Sequence, residues 1–182
     1  MSRSIYLITG PSGSGKTVLA DYLTEAGYTA IDADGTPGLC YYVNKNNKPV
    51  PYPQGADAGW WASHNYIWEL DRLSRLLDTL EPTDKPIFFC GNAGNIKKAW
   101  DMFAGVFYLD APGDTLIARN ADPKRKNSPG HRIDEPAQLL EWAEPFKAHM
   151  LELGAITIDA SPAPADIAKT ILAQIAGKSA KA

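Results

Sequence analysis

Gly10-Pro11-Ser12-Gly13-Ser14-Gly15-Lys16-Thr17 decides how this chain is read. The stretch satisfies G-x-x-x-x-G-K-[ST] at every fixed position, and it lies between an apolar run, Ile5 to Ile8, and a helical pattern beginning at Lys16. Glycines let successive backbone N–H groups turn inward around a phosphate. The N-terminus of the following helix adds partial positive charge, Lys16 reaches the outer phosphates, and the Thr17 hydroxyl suits magnesium. The pattern implies a bound nucleoside triphosphate, held by Gly10, Ser12, Gly13, Ser14, Gly15, Lys16 and Thr17.

Around this loop, short apolar runs alternate with helical patterns. Ile5 to Ile8, Tyr28 to Ile31, Ile87 to Cys90, Val106 to Leu109 and Ala155 to Ile158 each read as a buried strand. Five such strands joined by helices predict an α/β fold, a three-layer α/β/α sandwich around a parallel sheet. A helix over Lys16 to Ala26 has apolar residues at 18, 19, 22, 23 and 26 and a stop at Gly27. Asp134 is placed to cap a later helix, apolar at 139, 143, 146, 150 and 153, that Pro145 should kink or divide before Gly154 ends it. A last helix, about Ala165 to Ala176, leaves a tail over 177–182 that is expected to be mobile.

Composition narrows the function. The chain has 182 residues, 45% apolar and 21% charged, the balance of one ordinary globular unit over 1–176. Net charge is −3 with scattered Lys and Arg, which argues against a nucleic-acid binder. Apolar runs of four or five residues exclude a membrane span, and none at the start suits a secretory leader. Cys40 and Cys90 form neither a disulfide framework nor a zinc site. A cytoplasmic protein is expected.

Two polar stretches leave the predicted sheet. Asn44 to Gly55 reads as a loop or short hairpin within an insertion over about 36–62, and Asp122 to Gly130 lies in a lid over about 120–133. The second strand ends in Asp32-Ala33-Asp34, and alternation puts both carboxylates on one side. One can take a proton from an acceptor hydroxyl while the other helps Thr17 hold magnesium. The third ends in Cys90-Gly91-Asn92-Ala93-Gly94-Asn95, where Gly91 admits a ligand to the backbone and Asn92 and Asn95 offer donors and acceptors. It carries no aspartate, which shifts magnesium duty to Thr17, Asp32 and Asp34. The lid brings Lys124, Arg125 and Lys126, then His131 and Arg132, as cations for a transferring phosphoryl group.

One further segment has two faces when read as a helix. At roughly 100° per residue, Tyr66, Leu70, Leu73, Leu77 and Leu80 face the sheet, while Trp61, His64, Trp68, Arg72 and Arg75 fall opposite. The second face is covered by the proline-rich loop, or lines an acceptor pocket with stacking and cationic groups, or forms a homodimer interface.

With these motifs in hand, the chain resembles the small P-loop kinases of the adenylate, shikimate and gluconate kinase type, and AAA-like bacterial ATP-binding proteins of that group. The resemblance implies a P-loop NTPase fold with strand order 2-3-1-4-5, a mobile lid, and phosphoryl transfer from ATP to a small acceptor. It implies Asp34 as the substrate-facing carboxylate, Arg119 on the base or phosphates, and the loop with Ser161 and Pro162 beside the adenine. Lys16, Asp34, Arg125 and Arg132 are then the expected catalytic set. Neither D-G-[FY]-P-R, typical of adenylate kinases, nor D-R-[YHS], typical of deoxynucleoside kinases, occurs, so the acceptor stays open. The competing reading is an ATP-binding switch or ATPase with a macromolecular partner.

Overall fold

A computed structural model describes residues 4–53, 56–122 and 136–179. The chain opens with β1 (Ile5–Thr9), α1 (Lys16–Glu25) and β2 (Ala30–Asp32). An excursion follows, made of β3 (Cys40–Asn44), β4 (Pro49–Val50), α2 (Ala58–Trp61), β5 (His64–Trp68) and α3 (Leu70–Asp78). The chain then returns through β6 (Ile87–Cys90), a 3-10 helix over Ile96–Met102, β7 (Gly105–Asp110) and α4 (Gly113–Ala121). It closes with α5 (Pro136–Glu152), β8 (Ile156–Asp159) and α6 (Pro164–Ser179).

The main sheet has the order β2-β6-β1-β7-β8, and its pairs are parallel. Set the excursion's strands aside and this is the expected 2-3-1-4-5. Alternation along each strand feeds two cores. Ile5, Leu7, Ile87, Phe89, Val106 and Tyr108 point to one face, covered by Leu73, Leu77, Phe103, Phe146 and Met150. Tyr6, Ile8, Phe88, Cys90, Phe107 and Leu109 point to the other, covered by Leu19 and Leu23 of α1 and Ile167 and Ile171 of α6. Each large side chain so buried contributes about 1.5–3 kcal/mol. That is why continuous apolar runs, and not alternating ones, mark these strands. All C-terminal strand ends open on one edge, and the phosphate-type loop leaves β1 there.

The helix expected from Trp61 to Leu80 does not form. Its residues divide into α2, β5 and α3, and β5 pairs antiparallel with β3 in a second sheet of order β4-β3-β5. Tyr66 and Trp68, opposite on a helix, share one face of a strand, against Tyr42 and Cys40. His64-Asn65-Tyr66-Ile67-Trp68 is rich in aromatic and branched residues, and the Tyr42–Tyr66 cross-strand ring pair, 4.9 Å between centroids, supports strand over helix. Glu69 then starts α3 as its N-cap, its Oε2 accepting from Arg72 N at 2.7 Å. Leu73 and Leu77 still pack on the sheet as expected.

Asn44 to Lys48 makes the tip of a hairpin between β3 and β4, one of the two forms expected there. Tyr52, from the proline-rich segment, packs on Tyr42, Trp60 and Trp61, with centroids 5.3, 5.3 and 5.7 Å away. So that loop does fold back. Pro145 neither divides α5 nor ends it, and α6 runs on through Ser179, past the expected stop at Ala176. Asp134, the expected cap, lies outside the described residues.

Gly91 welds the two sheets together. A Cβ there would sit 2.5 Å from Ala33 Cβ and 3.2 Å from Trp68 Cζ2, while Gly91 N donates to Ile8 O at 3.0 Å. Gly91→Ala should therefore cost about 1–3 kcal/mol, lowering a melting midpoint by roughly 2–4 °C per kcal/mol. An unchanged melt would show that Ala33 and Trp68 can move aside freely.

Candidate active site

The loop between β1 and α1 is shaped by glycines with φ of 86° at Gly13 and 98° at Gly15. A Cβ on Gly13 would lie 2.7 Å from Asn120 Nδ2 and 2.8 Å from Leu116 O, so α4 closes directly on the cradle. Ser14 N donates to Pro11 O at 3.1 Å, and Lys16 Nζ donates to Gly10 O and Pro11 O at 2.9 and 3.0 Å. The N-cap of α1 is Gly15, with no side-chain cap, so the first-turn N–H groups face the cradle undecorated. Ser14 Oγ and Thr9 Oγ1 are buried with no hydrogen-bond partner. Orphaned hydroxyls beside bare helix donors are what an anion with several oxygens satisfies.

The far wall is held by α4. Ser12 Oγ donates to Asn120 Oδ1 at 2.9 Å, and Asn120 Nδ2 donates to Ser12 O at 3.0 Å. Arg119 spans from Gly13 O, 3.4 Å from Nη1, to Ala160 O, 3.0 Å from Nη2. It thus ties the cradle to the loop after β8. Pro162 of that loop lines the cavity, but Ser161 does not; its N–H donates to Asp159 Oδ1 at 2.9 Å. That bond holds the Asp159 carboxyl below its ordinary range.

Asp32 and Asp34 stand across the same cavity, which measures about 1330 Å³. Asp32 Oδ1 accepts from Asp34 N at 3.1 Å, closing a turn. Asp34 Oδ1 accepts from the Tyr66 hydroxyl at 2.8 Å. Burial, then the nearby Asp34 charge, push that phenol far above its ordinary pKa, so it stays a donor. Thr17, Asn92, Trp61 and Arg119 also line the cavity, and Asn92 Oδ1 is buried without a partner.

Several expected site residues prove to be framework. Trp68 is 1% exposed, in the core, and Gly91 packs beneath it. Asn95 is a clamp: its Oδ1 accepts from Trp68 N at 3.0 Å and its Nδ2 donates to Trp68 O at 2.8 Å, mimicking a neighbouring strand. Arg72 lies against Gly38 and Arg75 reaches Glu69 at 3.8 Å, so neither lines the cavity. Arg125 and Arg132, with Lys124, Lys126 and His131, lie outside the described residues. Tyr42, Tyr66, Glu141, Trp142 and Asn120 were not singled out as site residues in the sequence. The apolar-aromatic run Cys40 to Val43 is a strand signal that could have found Tyr42; Tyr66 falls on the sheet-facing side when its segment is read as a helix, and no local signal marks it for the site.

Cys40 sits behind Asp34 with its thiol donating to Ala33 O at 3.3 Å. Burial, opposed in part by a hydrogen bond from Tyr66, pushes its pKa up to about 12 from 9.0. At pH 8 its thiolate fraction is then ~10⁻⁴, so alkylation should run roughly a thousand-fold slower than in the urea-unfolded chain. As pH rises above 9.0 the unfolded chain loses this proton and the folded one keeps it until about 12, so stability should fall across that window. Comparable native and unfolded rates at pH 8 would contradict the burial of this thiol.

Comparison with known proteins follows from this geometry. A family model described as an AAA domain matches residues 7–139. The chain belongs to that family. Within it, the fold is that of the P-loop nucleoside triphosphatases. A curated "nucleotide-binding protein" of Methylobacillus flagellatus is 25% identical over 151 residues, 81% of this chain. The chain spans 44% of that relative's length. Shikimate kinase of Acinetobacter baumannii superposes with a TM-score of 0.63 at 20% identity, covering 97% of this chain and 95% of its own. Shikimate kinase of Aquifex aeolicus gives 0.55 at 14%, covering 98% and 99%. A gluconokinase of Sinorhizobium meliloti gives 0.51 at 19%, covering 96% and 91%. At these identities the likenesses show the fold alone. Among the described residues, no helix is long and apolar enough to cross a membrane.

Proposed function

We propose that the chain transfers the γ-phosphoryl group of ATP to a hydroxyl or phosphate of a small molecule. The observation that carries this reading is that Lys16 and Asp34, from the ends of neighbouring elements, line one cavity with the cradle at one end. An acceptor oxygen forms its bond to phosphorus as the bond to ADP breaks, and a hydroxyl acceptor's proton passes to Asp34. Lys16 and the first-turn N–H groups of α1 hold the phosphates in line, with the Ser14 hydroxyl as a further donor. Arg119 and Pro162 border the base, and Tyr66 holds Asp34 in place. Arg125 and Arg132 supply cations to the transferring group in this reading.

The residues present fit a magnesium ion. Thr17, Asp32 and Asp34 all line the cavity, and all offer the oxygens that ion prefers. When bound, it supplies charge neutralisation on the phosphates. Residues 1–176 act in this account as one kinase unit, with 36–62 on the acceptor side. Two thiols and a dependence on ATP suit the cytoplasm.

A panel of hydroxylated and phosphorylated metabolites, scored for acceptor-dependent ADP release, tests the proposal. One acceptor that turns over with magnesium and ATP supports it. Slow hydrolysis unchanged by every acceptor would replace it with the ATPase or switch acting on a macromolecule, a reading consistent with the greater length of the Methylobacillus relative.

A further inference from the structure

Two features of the cavity's acceptor half point the same way. The first is charge. Asp32, Asp34 and Glu141 line the cavity, while among the described residues its cations are Lys16 and Arg119. Both are committed to the nucleotide end, on Gly10 and Pro11 in one case and on Gly13 and Ala160 in the other. Lys147, the lysine of α5, donates to Asp110 Oδ2 at 2.6 Å and does not line the cavity. A carboxylate acceptor would meet Glu141 there, and Asp32 and Asp34 wherever magnesium does not offset their charge, without a compensating cation from these elements.

The second feature is the wall itself. Tyr42, Trp61, His64 and Tyr66 line the cavity from the small sheet and α2, and Trp142 lines it from α5. Trp142 is 38% exposed although its ring stacks on Phe146 at 4.5 Å, so an indole face is presented without being needed to fill the core. Trp61 packs edge-on against Tyr42, with an interplanar angle of 73°, so rings of different orientation contribute to this wall. Aromatic faces combined with carboxylates attract ammonium groups, and alkylated ones most, because these are weakly hydrated.

From the carboxylates and rings together we infer that the phosphoryl acceptor is a hydroxylated small molecule bearing an ammonium group. The inference rests on the kinase reading and names its acceptor class. Glu141, Trp61 and Trp142, which line the same cavity, are the partners this inference gives the ammonium, with the hydroxyl turned towards Asp34 and the cradle.

Three probes of similar size test it, titrated calorimetrically into the full chain with magnesium and a non-hydrolysable ATP analogue. Choline should bind about ten-fold more tightly than its neutral isostere 3,3-dimethylbutan-1-ol. Both should bind more tightly than the hydroxy acid 4-hydroxybutyrate. Glu141→Gln should weaken choline several-fold and leave the neutral isostere unchanged. Equal affinity of choline and the isostere, or equal losses in the variant, would show an apolar pocket and overturn the inference. Preference for the hydroxy acid would also overturn it, and would assign that acid's partner to Arg125 or Arg132. No binding by choline to protein that binds the nucleotide analogue would overturn it too.

The two proposals fail separately. ATP-dependent phosphorylation of hydroxy acids but not of amino alcohols keeps the kinase and removes the ammonium. Choline binding with no acceptor of the whole panel phosphorylated removes the kinase and keeps the ammonium site.

Discussion

Lys16→Ala should lower phosphoryl transfer on the order of 10³-fold or more, since a preorganised donor at the developing charge carries ~10²–10³ alone and Lys16 adds a full charge. The ammonium now reaches Gly10 O and Pro11 O at the mouth of the cradle, 2.9 and 3.0 Å away. It belongs to neither core cluster, so the variant should melt as the parent does. Triphosphate affinity should fall alongside turnover, because a point charge on the outer phosphates holds the ground state as well as, more strongly, the charge that develops in the transition state. Parallel ADP-release and melting measurements separate the two effects. Full activity in a folded Lys16→Ala protein would remove the cradle from the chemistry altogether.

Asp34→Asn is the second large effect. The amide retains an oxygen to accept from Tyr66, so the 2.8 Å contact and the turn survive. What it loses is charge and basicity. Turnover should drop by ~10²–10⁴-fold, the range for a positioned acid–base group, while ATP binding without magnesium stays the same. Tyr66→Phe offers a milder comparison. It removes the contact that orients Asp34 and should shift turnover by much less than Asp34→Asn does. An unaltered rate in Asp34→Asn would leave Asp34 as a turn former only.

The parallel sheet and the cradle were legible because each is written in a local run. Ile87 to Cys90 is apolar at every position since both faces of β6 are covered, and the glycine spacing of the cradle has few other uses. The small sheet was not legible, because β5 satisfies two periodicities at once. Tyr66 falls in register with Leu70, Leu73 and Leu77 at helical spacing, yet it pairs with Tyr42 across a strand that lies far off in sequence. Only that long-range partner decides between the two, and a local pattern carries no trace of it. The same error displaced Trp68 from the core into a supposed pocket and moved Arg72 and Arg75 to a face that does not exist. Asn95 misled for a different reason. An amide at a strand end looks identical in sequence whether it binds a ligand or, as here, clamps Trp68. Asp34 was legible as a candidate, and it lines the cavity, but its orientation by Tyr66 was not legible.

β2 and β6 lie side by side, Ala30 to Asp32 against Phe88 to Cys90, although the entire small sheet separates them along the chain. Departure and return therefore share one doorway, pinned by Ala33 N on Cys90 O at 2.8 Å. What is hung between those two points can be recut where it does not cover the strand that carries the cradle, since Leu73 and Leu77 of α3 pack on the face of Ile5 and Leu7. Descent with modification could exchange this cassette and so change clientele while the fuel supply stayed constant. A laboratory graft that exchanges only the hairpin tip and α2, between Asn44 and Ala62, and keeps Asp34, Trp68, Leu73 and Leu77 would be expected to deliver a new substrate preference on an unchanged nucleotide engine.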